Sequence, residues 1–335
     1  MKIGVIGAGS WGTALSKMLS ECGHRIGLWA YEAEVVSEIR RSRENLTYLP
    51  GVALSEAVHP TTSFEEALSG AEMVFLVCPS HVLRAVVADA RPHLPPNVPI
   101  VSATKGIENE TLMTVSEILE DVLPMHAHPY LSYLSGPSFA REVAQNVPTA
   151  VVCAAYGEKL AKIVQGAFTT PYMRVYTSTD VIGVEMGGAL KNVIAIAVGV
   201  AAGMGLGDNT RAGMITRGLN EMARLAVKRG ANPLTLMGLS GIGDLVLTCT
   251  GPLSRNRRVG ELLGKGQKLS DILATMKMVA EGIKTARSVY SLARRYDVEM
   301  PLSEQVYYVC HENKPVGRAL EDLLAREVRR EIQLF

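Results

Sequence analysis

Lys2 to Tyr31 reads KIGVIGAGSWGTALSKMLSECGHRIGLWAY. The run 2–6 is β-branched and apolar and ends in glycine, which predicts a strand; the stretch 13–23 reads as a helix closing at Gly23, and 25–31 as a second strand. Strand, turn, helix and strand within about 30 residues make a βαβ unit, which implies parallel strands and a right-handed crossover. The turn is Gly7-Ala8-Gly9-Ser10-Trp11-Gly12, a G-x-G-x-x-G that follows a strand directly and opens a helix. Gly7 permits the tight turn, Gly9 lets a pyrophosphate approach the backbone, and Gly12 lets the helix pack near the strand, with N–H groups facing the phosphates. The N-terminus is thus a strand rather than a signal peptide, because glycines interrupt its apolar run.

Further strands are expected at 73–78, 99–103, 131–135, 149–154 and 173–176. The alternation with helices predicts a doubly wound parallel sheet of the Rossmann type over residues 1–179. From Asp180 the texture changes to helical stretches at 180–203, 210–229, 255–264, 269–275, 281–295, 302–312 and 316–325, so an all-α domain is expected over 180–335. Glycine-rich breaks at 203–209 and 240–244 separate some of these helices. Two domains suit 335 residues, since a typical domain holds about 150.

Composition narrows the function classes. Hydrophobic residues are 47% and charged residues 20%, which excludes gross disorder. A formal net charge of +1 leaves no general excess of positive charge for nucleic acid. The five cysteines, at 22, 78, 153, 249 and 310, form no metal-ligand spacing, and His126 and His128 beside Pro124 and Pro129 read as a surface turn, so no metal is expected. The run Val193–Leu206, about 14 residues long, falls short of the roughly 20 that cross a bilayer and reads as a buried helix.

Several residues stand out chemically. At the end of the second strand, Glu32 suits the ribose diol of NAD, whereas Arg40 and Arg41 could serve the 2′-phosphate of NADP; both cofactors stay open. Lys105 and Gly136-Pro137-Ser138 follow strands at the carboxyl edge of the sheet, where ligands bind. Lys105 is either a solvated loop lysine or a cation for an anion or carbonyl; Ser138 either caps a helix or offers its hydroxyl to a ligand. In GGALKNVIAIAVG, Lys191 interrupts an apolar helix: it either snorkels at the rim or is buried and used for proton transfer. Asp244 could pair with Lys191 or cap a helix. Ser254-Arg255-Asn256-Arg257 at a helix start combines guanidinium groups with free N–H groups, chemistry suited to a phosphate monoester, and Glu281 opens a later helix.

Six segments in order, GAGSWGTAL (7–15), SATKGIE (102–108), LSGPSFAREV (134–143), EMGGALKNVIAIAVG (185–199), GIGDLVLTCTGPLSRNRR (241–258) and VAEGIKTA (279–286), closely resemble the NAD(P)-dependent glycerol-3-phosphate dehydrogenases of bacterial type, which supply glycerol 3-phosphate for phospholipid synthesis. The resemblance runs through essentially the whole chain. It implies a Rossmann domain followed by an α-helical domain, an active site in the cleft between them, a homodimer and a cytoplasmic setting. It places cofactor contacts at Ser10, Trp11, Lys105, Ala140, Arg255, Val279 and Glu281, and substrate contacts at Lys105, Gly136, Ser138, Lys191, Asp244, Ser254, Arg255 and Asn256. Lys191 matches the proton donor and acceptor, and dihydroxyacetone phosphate and sn-glycerol 3-phosphate are the implied substrates. Tyr31 stands where NADP-preferring relatives often carry a polar or basic residue. A hydroxy-acid dehydrogenase of similar build and a dinucleotide sensor without turnover are the rival readings.

Overall fold

In the strand Met73–Leu76, Met73 and Phe75 join one apolar cluster while Val74 and Leu76 join another, the period-2 alternation of a strand with both faces covered. This pattern recurs across an eight-stranded sheet: Lys2–Ile6 (β1), Arg25–Trp29 (β2), Val58–Thr61 (β3), Met73–Leu76 (β4), Ile100–Ser102 (β5), Leu131–Ser135 (β6), Thr149–Ala154 (β7) and Met173–Ser178 (β8). A computed structural model of the chain describes residues 1–168, 170–276, 280–328 and 330–331. The sheet order is β3-β2-β1-β4-β5-β6-β7-β8, whose first six positions follow the doubly wound dinucleotide-binding order.

Two features of the sheet depart from the expected set of parallel strands, one in direction and one in number. β7 runs antiparallel to β6 and parallel to β8. The connection between β6 and β7 holds only the five-residue helix Ala140–Ala144, too little to cover a face in a parallel crossover, so the chain turns back instead. β3 was not anticipated. Its sequence, VHPT, lacks an apolar run, and Pro60 is tolerated because the strand lies at the sheet edge.

The chain divides into two compact units, one of residues 1–105 and 113–184 and one of residues 106–112 and 185–335. Among the described residues the second unit has no strand. Its helices include Val181–Gly203, which begins in the first unit, and Gly207–Lys228, Arg255–Gly264, Leu269–Thr275, Glu281–Arg295, Pro301–His311 and Val316–Leu324. One helix was missed: the stretch read as a glycine-rich break is a wide π turn, Leu239–Gly243, leading straight into helix Asp244–Thr250. At 23 residues and mean hydropathy 1.6, helix Val181–Gly203 is long and apolar enough to span a membrane, contrary to the shorter run read from sequence; 89% of its apolar window is buried inside the protein, which makes it a core helix.

Close packing fixes this core helix to its neighbour. A Cβ on Gly199 or Gly203 would collide with the carbonyls of Arg257 and Glu261, and one on Gly260 or Gly264 with those of Ile196 and Val200. Reciprocal small residues four apart let the two backbones touch. Elsewhere, the carboxylate of Glu221, 1% exposed, accepts from Leu302 N at 2.6 Å and from Ser303 N and Oγ at 3.1 and 2.9 Å, so it satisfies the start of helix Pro301–His311. Burial pushes its pKa up to about 7, outweighing those donors and nearby Arg224.

Candidate active site

The glycine loop between β1 and helix Ser10–Glu21 has the shape its sequence demands. Gly7 sits at φ +116° with its missing Cβ facing Val77 O at 2.8 Å, and a Cβ on Gly12 would overlap the Gly7 carbonyl. At Gly9, by contrast, nothing lies within 4 Å of the Cβ position, so the backbone is open to a ligand there. Gly9 is the N-cap and no side chain caps the helix, the setting in which a helix start holds an anion. These residues fit the pyrophosphate of a dinucleotide. Trp11 is half-buried beside them against the core.

A segment that sequence reasoning missed ties this loop to the end of β2. Asn45, fully buried, donates to Ala8 O and to Thr13 Oγ1, each at 2.8 Å, and accepts from Tyr48 N at 2.9 Å. The Ser10 hydroxyl donates to Tyr48 O at 2.6 Å, and the Tyr48 hydroxyl donates to Glu32 Oε1 at 2.8 Å. Burial, together with the Glu32 carboxylate, pushes the Tyr48 phenol up to about 12, so it remains a donor. Nothing in the sequence pattern around Asn45 and Tyr48 marks them, because their roles depend on contacts made 16 to 38 residues away.

At the carboxyl edge of the sheet, Lys105 Nζ donates to Gly136 O at 3.2 Å. Gly136 adopts φ +127°, and a Cβ there would press on Val151 Cα at 3.0 Å. The Ser138 hydroxyl also donates to Gly136 O, at 3.0 Å. It does not cap: the N-cap of helix Ala140–Ala144 is Phe139, and Ala140 is the first helical residue. Lys105, Gly136 and Ser138 therefore form one group around a single carbonyl.

In the second unit, Lys191 is only 7% exposed, so it does not snorkel at a helix rim. Its Nζ donates to Asp244 Oδ1 at 2.5 Å and to Thr248 Oγ1 at 2.9 Å. Asp244 is 1% exposed and is the first residue of its helix, with Gly243 at the cap, so it serves Lys191 rather than capping. Thr248, one helical turn on, donates to Asp244 O at 2.6 Å and was not singled out from sequence; the i, i+4 spacing from Asp244 is the signal that could have found it. Cys249 lies beside this group, and burial holds its thiol up at about 12 against the opposing charge of Lys191. The thiol is thus neutral near pH 7.

Ser254 caps helix Arg255–Gly264 by accepting from Arg257 N at 3.2 Å. Arg255 stands exposed at the helix start, whereas Arg257 Nε donates to Gly251 O at 3.3 Å. Asn256 is buried and joins three elements: its Nδ2 donates to Asn192 Oδ1, and its Oδ1 accepts from Gly282 N, both at 2.9 Å. Residues 191–192, the helix start at 255 and the start of helix Glu281–Arg295 are thereby held together, with Glu281 at the last of these. Val279 lies outside the described residues. Among the described residues no group of three or more His, Cys, Asp or Glu side chains could hold a metal ion, and His128 instead engages Leu123 O at 3.0 Å.

Known proteins match this chain along nearly its whole length. Residues 2–161 match the family model for the NAD-dependent glycerol-3-phosphate dehydrogenase N-terminus, and residues 180–321 match the one for its C-terminus. The chain is 56% identical over 330 residues to the glycerol-3-phosphate dehydrogenase [NAD(P)+] of Geobacter sulfurreducens, covering 98% of both chains. It is also 56% identical over 332 residues to that of Myxococcus xanthus, covering 99% of both. The crystal structure of glycerol-3-phosphate dehydrogenase from Coxiella burnetii superposes with a TM-score of 0.90 at 37% identity, over 97% of this chain and 99% of that one. These matches along both units make this chain a member of the NAD-dependent glycerol-3-phosphate dehydrogenase family.

Proposed function

We propose that this chain interconverts dihydroxyacetone phosphate and sn-glycerol 3-phosphate with NAD(P)(H), and that Lys191 exchanges the proton on the C2 oxygen. The observation that carries the assignment of Lys191 is its burial against Asp244 and Thr248. A charge kept in so dry a place is costly unless paired and used. The nicotinamide of a dinucleotide held at the glycine loop would supply the hydride for C2, or accept it in the reverse direction.

The chain's own residues do the rest. Lys191 protonates the developing alkoxide, Asp244 compensates its charge, and Thr248 fixes the direction of its ammonium group. Lys105 contributes a cation toward the substrate, with Gly136 and Ser138 shaping its position. Arg255 and the N–H groups at its helix start hold the phosphate, while Ser254 and Asn256 fix that helix start in place. Anchoring the remote phosphate positions the ketone without touching the reacting carbon. Gly7, Gly9, Ser10, Trp11 and Gly12 seat the cofactor, with Ala140, Arg255 and Glu281 as further contacts that the resemblance supports. The family resemblance also supports a homodimer in the cytoplasm.

The test follows NADH and NADPH absorbance with dihydroxyacetone phosphate for the parent protein and Lys191→Ala, with unphosphorylated dihydroxyacetone as control. Phosphate-dependent oxidation that falls by about 10²–10⁴ in the variant is expected. Turnover that survives in Lys191→Ala would remove the lysine from the mechanism. Light scattering of the purified protein tests the dimer, and a mass of one chain would refute it.

A further inference from the structure

The end of β2 bears on a choice that the sequence left open. Glu32 is the N-cap of helix Ala33–Ser42, and its side chain makes no capping bond. It is instead held by the Tyr48 hydroxyl, at 2.8 Å, through one oxygen. Tyr48 is itself fixed by Ser10 Oγ of the glycine loop, which donates to its carbonyl, and by Asn45 Oδ1, which accepts from its amide. A carboxylate in this position accepts from a ribose diol and repels a 2′-phosphate.

The cations that could offset this repulsion are engaged or distant. Arg40 and Arg41 occupy the last turn of that helix, about 12 Å along its axis from Glu32 at a rise of about 1.5 Å per residue. Arg40 directs Nε and one terminal nitrogen into Pro60 O, at 3.2 and 3.0 Å. Arg43 bonds the carbonyls of Leu54 at 3.3 Å and Val58 at 2.9 Å. Both arginines thus fasten the backbone around β3.

We propose that Glu32, oriented by Tyr48, makes this chain select NAD(H) over NADP(H), with Tyr48 the positioning residue of that selection. The proposal rests on the dinucleotide-dependent reading of the site above. A hydrogen bond to a charged group is worth roughly tenfold or more in affinity, and a carboxylate facing a phosphate adds repulsion to the difference.

The experiment measures binding of NADH and of NADPH by calorimetry without substrate, and kcat and KM for each with dihydroxyacetone phosphate. The proteins are the parent, Glu32→Gln and Tyr48→Phe. The parent is expected to bind NADH at least about tenfold more tightly than NADPH, and Glu32→Gln to bring that ratio near one. Tyr48→Phe keeps the ring packing; it should shrink the ratio several-fold by raising KM for NADH, with kcat at saturating NADH changed less than about twofold. A parent that binds NADPH as tightly as NADH, or a Glu32→Gln that weakens both equally, overturns the proposal. An unchanged ratio in Tyr48→Phe removes the positioning role. Preferential NADH binding without turnover of dihydroxyacetone phosphate would leave this selection standing and sink the proposed reaction instead.

Discussion

Lys191 and Asp244, 53 residues apart in sequence, meet at 2.5 Å with side chains only 9% and 1% exposed. A pair so enclosed is poor evidence of stability, because desolvation offsets most of the attraction, yet breaking it strands a charge. Asp244→Asn should therefore destabilise the protein by about 3–5 kcal/mol and lower kcat by at least tenfold. Replacing both, Lys191→Met with Asp244→Leu, should recover most of the lost stability in a thermal melt and none of the activity. A double variant as unstable as the single one would mean that the pair itself holds the helices together.

Glu221 predicts a pH signature of folding. The folded protein keeps a proton on this carboxyl up to a pKa of about 7, whereas the ordinary value is 4.5. Between these values the folded state binds more protons than the unfolded one, so stability falls as pH rises through the window and stays lower above it. The effect reaches roughly 3 kcal/mol for a carboxyl this deeply buried. The Tm difference of Glu221→Gln minus parent should accordingly grow from pH 4.5 to 7 and then level off. A difference that is flat across that range would show Glu221 titrating as an ordinary surface carboxyl.

Gly260 faces the backbone of Ile196 so closely that no side chain fits. Gly260→Ala should cost about 1–3 kcal/mol or more, despite the better helix propensity of alanine. Gly213, in helix Gly207–Lys228, has nothing within 4 Å of its Cβ position and serves as control. Gly213→Ala should be neutral or stabilise slightly, and denaturant melts that rank the two variants the other way would contradict the packing described.

Arg255 offers an exposed guanidinium at a capped helix start. Arg255→Ala should raise KM for dihydroxyacetone phosphate by about 10–100-fold and leave the thermal melt nearly unchanged. Its rate with unphosphorylated dihydroxyacetone should change far less. Equal losses on the two substrates would place the arginine away from the phosphate.

The parts of the fold that were legible in sequence are those governed by local pattern. β1, with its glycine loop, could be read because apolar periodicity and turn chemistry act within a dozen residues. The helices from 255 onward were placed within a residue or two for the same reason. β3 was not legible, since an edge strand can carry His59 and Pro60, and neither was the reversal of β7, which depends on how a short connection fails to cross a face. In the site, Lys191 and Asp244 were visible as charges in apolar surroundings. Asn45, Tyr48 and Thr248 were not, because ordinary polar residues gain their roles only from the partners that the fold brings to them. Helix Asp244–Thr250 was hidden by the glycines before it, which form a π turn rather than a break.

The strap from Asn45 to Tyr48 fastens Ala8, Ser10, Thr13 and Glu32 into one hydrogen-bonded piece. On the selection proposed above, it narrows the mutational routes that alter cofactor choice. Removing the acceptor at Glu32 alone leaves the Tyr48 hydroxyl without this partner, and removing the Tyr48 hydroxyl alone leaves the carboxylate without the donor that orients it. A lineage that exchanged one cofactor for the other would have to cross that intermediate or alter both residues together, so descendants of this protein should carry the two positions as a coupled pair.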